Sequence, residues 1–318
     1  MRSLELLVAN CGRLPYYSQD STRVTHKKLA NREEVAILPK KCSCLQLMIE
    51  QVLKFFKFYL KADGVYQAHS PLLYKLMTEV VEPRGPLPFE ETIESVRSRL
   101  LLDESPIAFQ EYGAGSTKQK KAKTVKTIAA SSLSPRRQCR QLARLVQYKS
   151  PKTVLEMGTS LGVSTLYLGA ANLATEVYTL EGDPQVAAIA QANFTMLHLH
   201  NIQLAIGRFE DTLVPTLKKM QSVDLAFIDG NHRYTPTVQY FEQILPYCTE
   251  DSILVFDDIH WSEEMEKAWQ YVQQHTAVTL TVDLFHMGIV FFSDSVSTKA
   301  HRQFIEYRYK PWKIGLFG

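Results

Sequence analysis

One stretch constrains this chain more than any other: Thr153-Val-Leu-Glu-Met-Gly-Thr-Ser-Leu-Gly-Val-Ser-Thr165, followed by Thr179-Leu-Glu-Gly-Asp183. An apolar run ends in Glu156, a tight turn holds Gly158, Ser160 and Gly162, and an amphipathic helix follows. A second apolar run ends in Glu181. This order sets two carboxylates at the carboxyl ends of neighbouring parallel strands, beside a helix N-terminus, where open α/β sheets bind nucleotides. The spacing is Glu-x-Gly-x-x-x-Gly rather than Gly-x-Gly-x-x-Gly. A carboxylate at 156 would repel the pyrophosphate of a dinucleotide, which disfavours a dehydrogenase. It would welcome the cationic end of S-adenosyl-L-methionine (SAM), and Glu181 would take both ribose hydroxyls. The plain alternative is a tight turn that binds nothing; two carboxylates flanking it argue against that.

The chain has 318 residues, 45% of them hydrophobic, enough for one large domain with an appendage. A net charge of +3 gives no argument for nucleic acid. Cys11, Cys42, Cys44, Cys139 and Cys248 are scattered, and the pair at 42 and 44 has no matching second half. Reduced thiols in a cytoplasmic protein are therefore expected. No apolar run is long enough to span a bilayer, and residues 4–9 are too short for a signal-peptide core.

From Val154 to Phe292 apolar runs recur at 153–157, 176–181, 202–206, 223–228, 252–256, 278–285 and 287–292. Helical patterns lie between the first six, near 162–172, 184–198, 210–220, 235–248 and 262–275. Short connections and β-branched runs predict a mostly parallel seven-stranded sheet, covered on both faces. Only His286 separates the last two runs, so the last strand is expected to be antiparallel. The core is expected over 151–293, with a helical extension over 45–150, a tail over 294–318, and an irregular, disordered segment over 1–44.

Within the extension, Leu45 to Leu60 reads as a helix with Lys54, Lys57 and Lys61 on one stripe and Leu53, Phe56 and Leu60 on another face. Packing on the neighbouring domain is preferred to lying on a membrane. Ser70 and Pro71 read as N-cap and first position of a helix that stops before Pro83. A Gly/Lys-rich loop follows Tyr112, and then a helix carries Arg136, Arg137, Arg140 and Arg144. The loop is a candidate lid whose lysines would attract an anionic substrate; a solvated loop is the ordinary alternative.

The fourth strand reads Val223-Asp-Leu-Ala-Phe-Ile-Asp-Gly-Asn-His-Arg-Tyr234 and the fifth Ile253-Leu-Val-Phe-Asp-Asp-Ile-His-Trp261. Asp229, Asp257 and Asp258 could converge at one sheet edge on a hard cation, Mg²⁺ or another divalent ion. After the third strand, Phe209 and Glu210 are placed to meet adenine, though Glu210 and Asp211 also suit a helix N-terminus without a ligand. Ser262 competes with Asp257 and Asp258 to cap the next helix, Trp261 and Trp269 read as packing residues, and His260 as solvent-facing. Cys248 falls inside a helical pattern, with no Pro-Cys nucleophile, and no Asp/Asn-Pro-Pro-aromatic tetrapeptide follows the fourth strand.

These residues resemble the SAM-dependent O-methyltransferases of the catechol and caffeoyl-coenzyme A type. That family ends its fourth strand in Asp-x-x-Lys-x-x-Tyr and its fifth in Asp-Asn-x-x-Trp. This chain has Asp229-x-x-His232-Arg-Tyr234 and Asp257-Asp258-Ile-His-Trp261. From about Leu45 onward it is more similar to a bacterial branch of that superfamily, through His69-Ser70-Pro71, Gly113-Ala-Gly-Ser116, Glu156 to Gly162 and Asp257 to Trp261. The resemblance implies a Rossmann-like class I methyltransferase fold and O-methylation of a small-molecule acceptor. It also implies SAM on Glu156, Gly158, Ser160, Gly162, Glu181, Phe209, Glu210 and Asp229, a metal on Asp229, Asp257 and Asp258, and His232 with Asp229 in catalysis. Aspartate stands where the family has asparagine at 258, and histidine where it has lysine at 232. The alternatives are transfer to nitrogen or another acceptor, or SAM binding without catalysis.

Overall fold

The structure is a computed structural model that describes residues 41–82, 85–109, 121–293 and 299–310. The chain divides into two units, residues 1–57 and 58–318. Residues 1–40 of the segment read as irregular, and the 110–120 loop read as a lid, lie outside the described residues.

Helix α1 (Lys41–Lys61) begins before the expected Leu45. Its Leu53, Phe56 and Leu60, expected to pack inward, are more than half exposed, whereas Phe58 is buried. Helical periodicity turns Phe58 to the side away from those three, and its ring lies 5.3 Å from that of Phe285. Helix α2 (Pro71–Lys75) starts as expected: Ser70 Oγ accepts the Leu73 N–H, and Pro71 lies at the first helical position. It continues into a π-helical turn, Leu76–Val81, closed by the Glu82 N–H on the Met77 carbonyl. Then come α3 (Glu90–Leu102), the hairpin of β1 (Pro106–Phe109) and β2 (Lys121–Thr124), α4 (Val125–Ser132) and α5 (Arg136–Lys149).

The main sheet alternates with helices. In chain order it runs β3 (Thr153–Met157), α6 (Val163–Ala171), β4 (Glu176–Glu181), α7 (Pro184–Met196), β5 (Ile202–Ile206), α8 (Phe209–Met220) and β6 (Val223–Ile228). It continues through α9 (Tyr234–Ile244), β7 (Cys248–Asp257), α10 (Glu263–Gln274), β8 (Leu280–Asp283), β9 (Met287–Phe291) and β10 (Ala300–Gln303). The strand order is β10-β8-β9-β7-β6-β3-β4-β5. Strand β9 lies antiparallel between β7 and β8, and the other pairings are parallel. The seven expected strands are present, and an eighth, β10, comes from the stretch read as a tail. Its four residues pair with β8 but carry little apolar pattern, so periodicity alone does not reveal it.

Alternate residues of each central strand enter opposite cores. Val154, Leu225, Ile253 and Val255 face one layer with Leu142, Leu145 and Val146. Leu155, Ala226, Leu254 and Phe256 face the other, with Leu217, Phe241 and Trp269. Trp269 packs as expected: a Cβ on Gly288 would come within 2.4 Å of its ring. Cys248 opens β7 instead of ending a helix. Pro246 lacks an N–H, and α9 gives way to a 3₁₀ turn, Leu245–Tyr247, before the strand begins.

Candidate functional site

The carboxyl ends of β3, β4, β6 and β7 share one edge of the sheet, because these strands are parallel. Between β3 and α6 the chain makes the expected turn. Gly158 has φ +103°, and a Cβ there would sit 2.0 Å from the Asp229 carbonyl oxygen. Gly162 has φ +86° and abuts Phe194. Only glycine satisfies the first position, where conformation and close approach coincide.

Glu156 is fully buried. Its Oε2 accepts the hydroxyls of Thr165 (2.5 Å) and Thr179 (2.7 Å). Its Oε1 is buried and has no hydrogen-bond partner among the described residues. Burial pushes its pKa up to about 7 against the lowering effect of the Thr165, Thr179 and Ser164 hydroxyls, and the charge of Asp229 adds to the rise. Such an orphaned oxygen is costly unless a donor or cation reaches it.

Glu181 is held by backbone: Oε2 accepts the Ser160 N–H at 2.8 Å and Oε1 the Asp183 N–H at 2.9 Å. Burial outweighs these bonds and leaves its pKa raised. Each oxygen keeps a second lone pair, so the carboxylate can still take a vicinal diol. Ser160, at φ +48°, shares a 2.7 Å hydroxyl contact with Ser132 of α4. Phe209, at the start of α8, closes the far side: a Cβ on Gly230 would meet its ring at 2.5 Å, and it packs edge-on against Tyr240. Glu210 is in the first turn of α8, exposed, and its Oε1 accepts the Tyr240 hydroxyl at 3.2 Å. Both the capping position and a side-chain partner therefore account for it.

Across the edge, β6 ends in Asp229, whose N–H binds the Met157 carbonyl. Asn231 and His232 follow with φ of +66° and +39°. That unusual backbone folds the chain back and brings His232 Nε2 to 3.4 Å from Asp229 Oδ1. Burial works to lower the His232 pKa. The Asp229 bond and the charges of Asp258, Asp229 and Asp257 outweigh it and lift the pKa to about 9. The neighbouring aspartates thus favour the protonated imidazolium of His232.

Asp257 is buried, and its Oδ1 accepts both the Gln138 amide (2.6 Å) and the Asp258 N–H (2.9 Å). Asp258, at φ +53°, donates its N–H to the His286 carbonyl. Neither aspartate caps α10; Ser262 does, accepting the Met265 N–H. Asp229, Asp257 and Asp258 do not form the expected metal cage: among the described residues no three acid, histidine or cysteine groups are arranged to hold an ion. Asp257 is turned to Gln138 and to backbone, and Asp229 to His232.

His260 does not face solvent. Its Nε2 lies 2.9 Å from Asp283 and its Nδ1 3.2 Å from Glu266, and the ring stacks on Phe285. Burial opposes its charge, but these two carboxylates carry its pKa up to about 9. The arginines of α5 are also structural in part: Arg136 pairs with Glu90 and Glu91, and Arg140 with Glu90.

Sequence reasoning missed Gln138 and Gln141. Both are buried on α5, and Gln141 Oε1 is 2.9 Å from His286 Nε2. Their signal is that positions 138 and 141 continue the apolar stripe of Leu142 and Leu145, so two amides point inward.

Residues 155–259 match the family described as "Methyltransferase domain". A catechol O-methyltransferase of Niastella koreensis is 32% identical over 42% of this chain and 60% of its own length. An uncharacterized protein of Sinorhizobium fredii is 26% identical over 48% of this chain and 18% of its own. The chain thus spans less than two thirds of these curated relatives. An O-methyltransferase of Bacillus cereus, solved with S-adenosylhomocysteine, is 18% identical, with 66% of this chain and 93% of that one covered and a TM-score of 0.46. Among the described residues no helix is long and apolar enough to cross a membrane.

Proposed function

We propose that this chain is an enzyme that moves a methyl group from SAM to an oxygen of a small molecule. The observation that carries this reading is the buried Glu156 with one orphaned oxygen, set beside a glycine turn whose Ser160 N–H holds Glu181. The orphaned oxygen suits the ammonium of the amino-acid end, and the two outer lone pairs of Glu181 suit a ribose diol. Phe209 would pack on the adenine. The named activity of the catechol O-methyltransferase relative supports oxygen as the acceptor.

SAM, when bound, supplies a methyl group already activated on a sulfonium, so the protein's task is chiefly to position and deprotonate the acceptor. His232 would receive the acceptor's proton, and Asp229, 3.4 Å from its Nε2, would stabilise the resulting imidazolium. Since the neighbouring aspartates favour that imidazolium in the resting site, His232 must first lose its proton. The rate should therefore rise with pH toward about 9, and His232→Gln should flatten that limb. No step here is routed through a divalent cation on Asp229, Asp257 and Asp258.

The direct test is incubation of the protein with methyl-labelled SAM and a cell extract, with identification of the labelled product. A product labelled on oxygen is expected; label on nitrogen or carbon, or none with SAM bound, would replace this reading.

A further inference from the structure

A cavity of about 260 Å³ opens beside α5, away from the glycine turn. Arg137, Arg140 and Arg308 line it, with Glu82 and Glu306, so three guanidiniums face two carboxylates. Arg137 Nε and Arg308 Nε each lie 2.5 Å from a different oxygen of Glu306. Both guanidiniums also lie over the ring of Tyr309, with carbons 5.9 and 4.8 Å from its centroid. Glu306 and Tyr309 thus hold two cations side by side, as ion pairs to one carboxylate and over one ring. A guanidinium has five N–H donors, and among the described residues no hydrogen bond engages the terminal nitrogens of either. Glu82 is occupied by the Tyr307 N–H, and Arg140 is shared with the buried Glu90 and the Gly85 carbonyl.

The cavity connects to the strand-end site through two residues, Gln141 and His286. Gln141 lines it, and Gln141 Oε1 touches His286, whose carbonyl accepts the Asp258 N–H. One turn earlier on the same helix, Gln138 binds Asp257. Gln141 and His286 thus link the cavity to Asp258 at the strand-end site.

We propose that this cavity receives an oxyanion, a carboxylate or a phosphate, carried on the methyl acceptor. The identity of the occupant as an acceptor rests on the methyltransferase reading; the anion preference rests on the cavity alone. Two forked donors sharing a single carboxylate form a concave cationic wall that matches an oxyanion better than a neutral group.

Two measurements test it on the full chain. The first is calorimetric titration, with and without S-adenosylhomocysteine, of benzoate, phenyl phosphate and neutral benzyl alcohol. The anions should bind about tenfold or more tighter than the alcohol, and the stronger of the two tells carboxylate from phosphate. Arg137→Gln and Arg308→Gln should each remove about tenfold of that preference and leave the alcohol unchanged. If Arg137→Gln lowers the melting temperature, Arg308→Gln decides, since its side chain is 60% exposed. Anions that bind no better than the alcohol, or variants that keep the preference, overturn the proposal. The second measurement runs the labelled products of the extract assay over an anion exchanger. Retained products are expected, and wholly neutral products overturn the acceptor assignment. Absence of any product would fail the methyltransferase reading, while the titration still reports on the cavity.

Discussion

The two halves of the strand-end site are built in different ways. The glycine-turn half comes from one continuous βαβ stretch, residues 153–183, and its working groups are held from within it: two backbone N–H groups on Glu181, and the Thr165 and Thr179 hydroxyls on Glu156. The imidazole half is assembled from distant segments, with Gln138 and Asp257 separated by 119 positions and Gln141 and His286 by 145. Local backbone can be read from local spacing, whereas contacts between distant side chains depend on how the helices pack on the sheet. Damage to the first half should therefore be severe and confined to the cofactor, and damage to the second graded and felt by the acceptor.

The largest expected effect tests how rigid the glycine turn is. Gly158→Ala places a methyl 2.0 Å from the Asp229 carbonyl at a φ that L residues rarely adopt. Strain and overpacking together should cost roughly 3–5 kcal/mol and abolish SAM binding. Urea unfolding and calorimetry read both. A variant with wild-type stability would mean that the turn yields and that its close approach to β6 is dispensable.

Next comes Glu181→Ala. Losing a charged, partly buried acceptor of two hydroxyls should cost about 1.5–3 kcal/mol, a roughly 10- to 150-fold loss of SAM affinity. Stability should change less, because the Ser160 and Asp183 N–H groups then turn to water. Unchanged affinity would move the cofactor away from this turn.

The smallest effect sharpens the comparison through protons. Glu156 has its pKa raised to about 7, so the folded protein keeps a proton that the unfolded chain has already released. The sign follows: this group makes stability fall as pH rises from the ordinary carboxylate range to about 7. A bound ammonium favours the ionised form, so SAM or S-adenosylhomocysteine binding near pH 6 should release up to one proton. Calorimetry in buffers of different ionisation enthalpy measures it. Glu156→Gln should show no release, and a wild type that releases none would place the ammonium elsewhere.

Much of the fold was legible from hydrophobic period, because each central strand is a short β-branched run whose alternate residues fill two cores. Strand β10 was not, since pairing of four polar-flanked residues with β8 is decided by backbone already in place. His260 was misread for a related reason: its partners Asp283 and Glu266 lie on β8 and α10, and nothing near residue 260 announces them.

By itself the sequence determined the parallel alternation, the glycine turn and the placing of Glu156, Glu181, Asp229 and Asp257 at one edge, because strand ends and turns are set by neighbours in the chain. Tertiary structure alone decided which way those carboxylates turn. Gln138 draws Asp257 inward, the paired positive φ at Asn231 and His232 swings an imidazole onto Asp229, and Arg137 and Arg308 meet on Tyr309. The physical reason is range: periodicity records which face of an element is apolar, but a hydrogen bond between two elements exists only once the packing of both has fixed its length and direction.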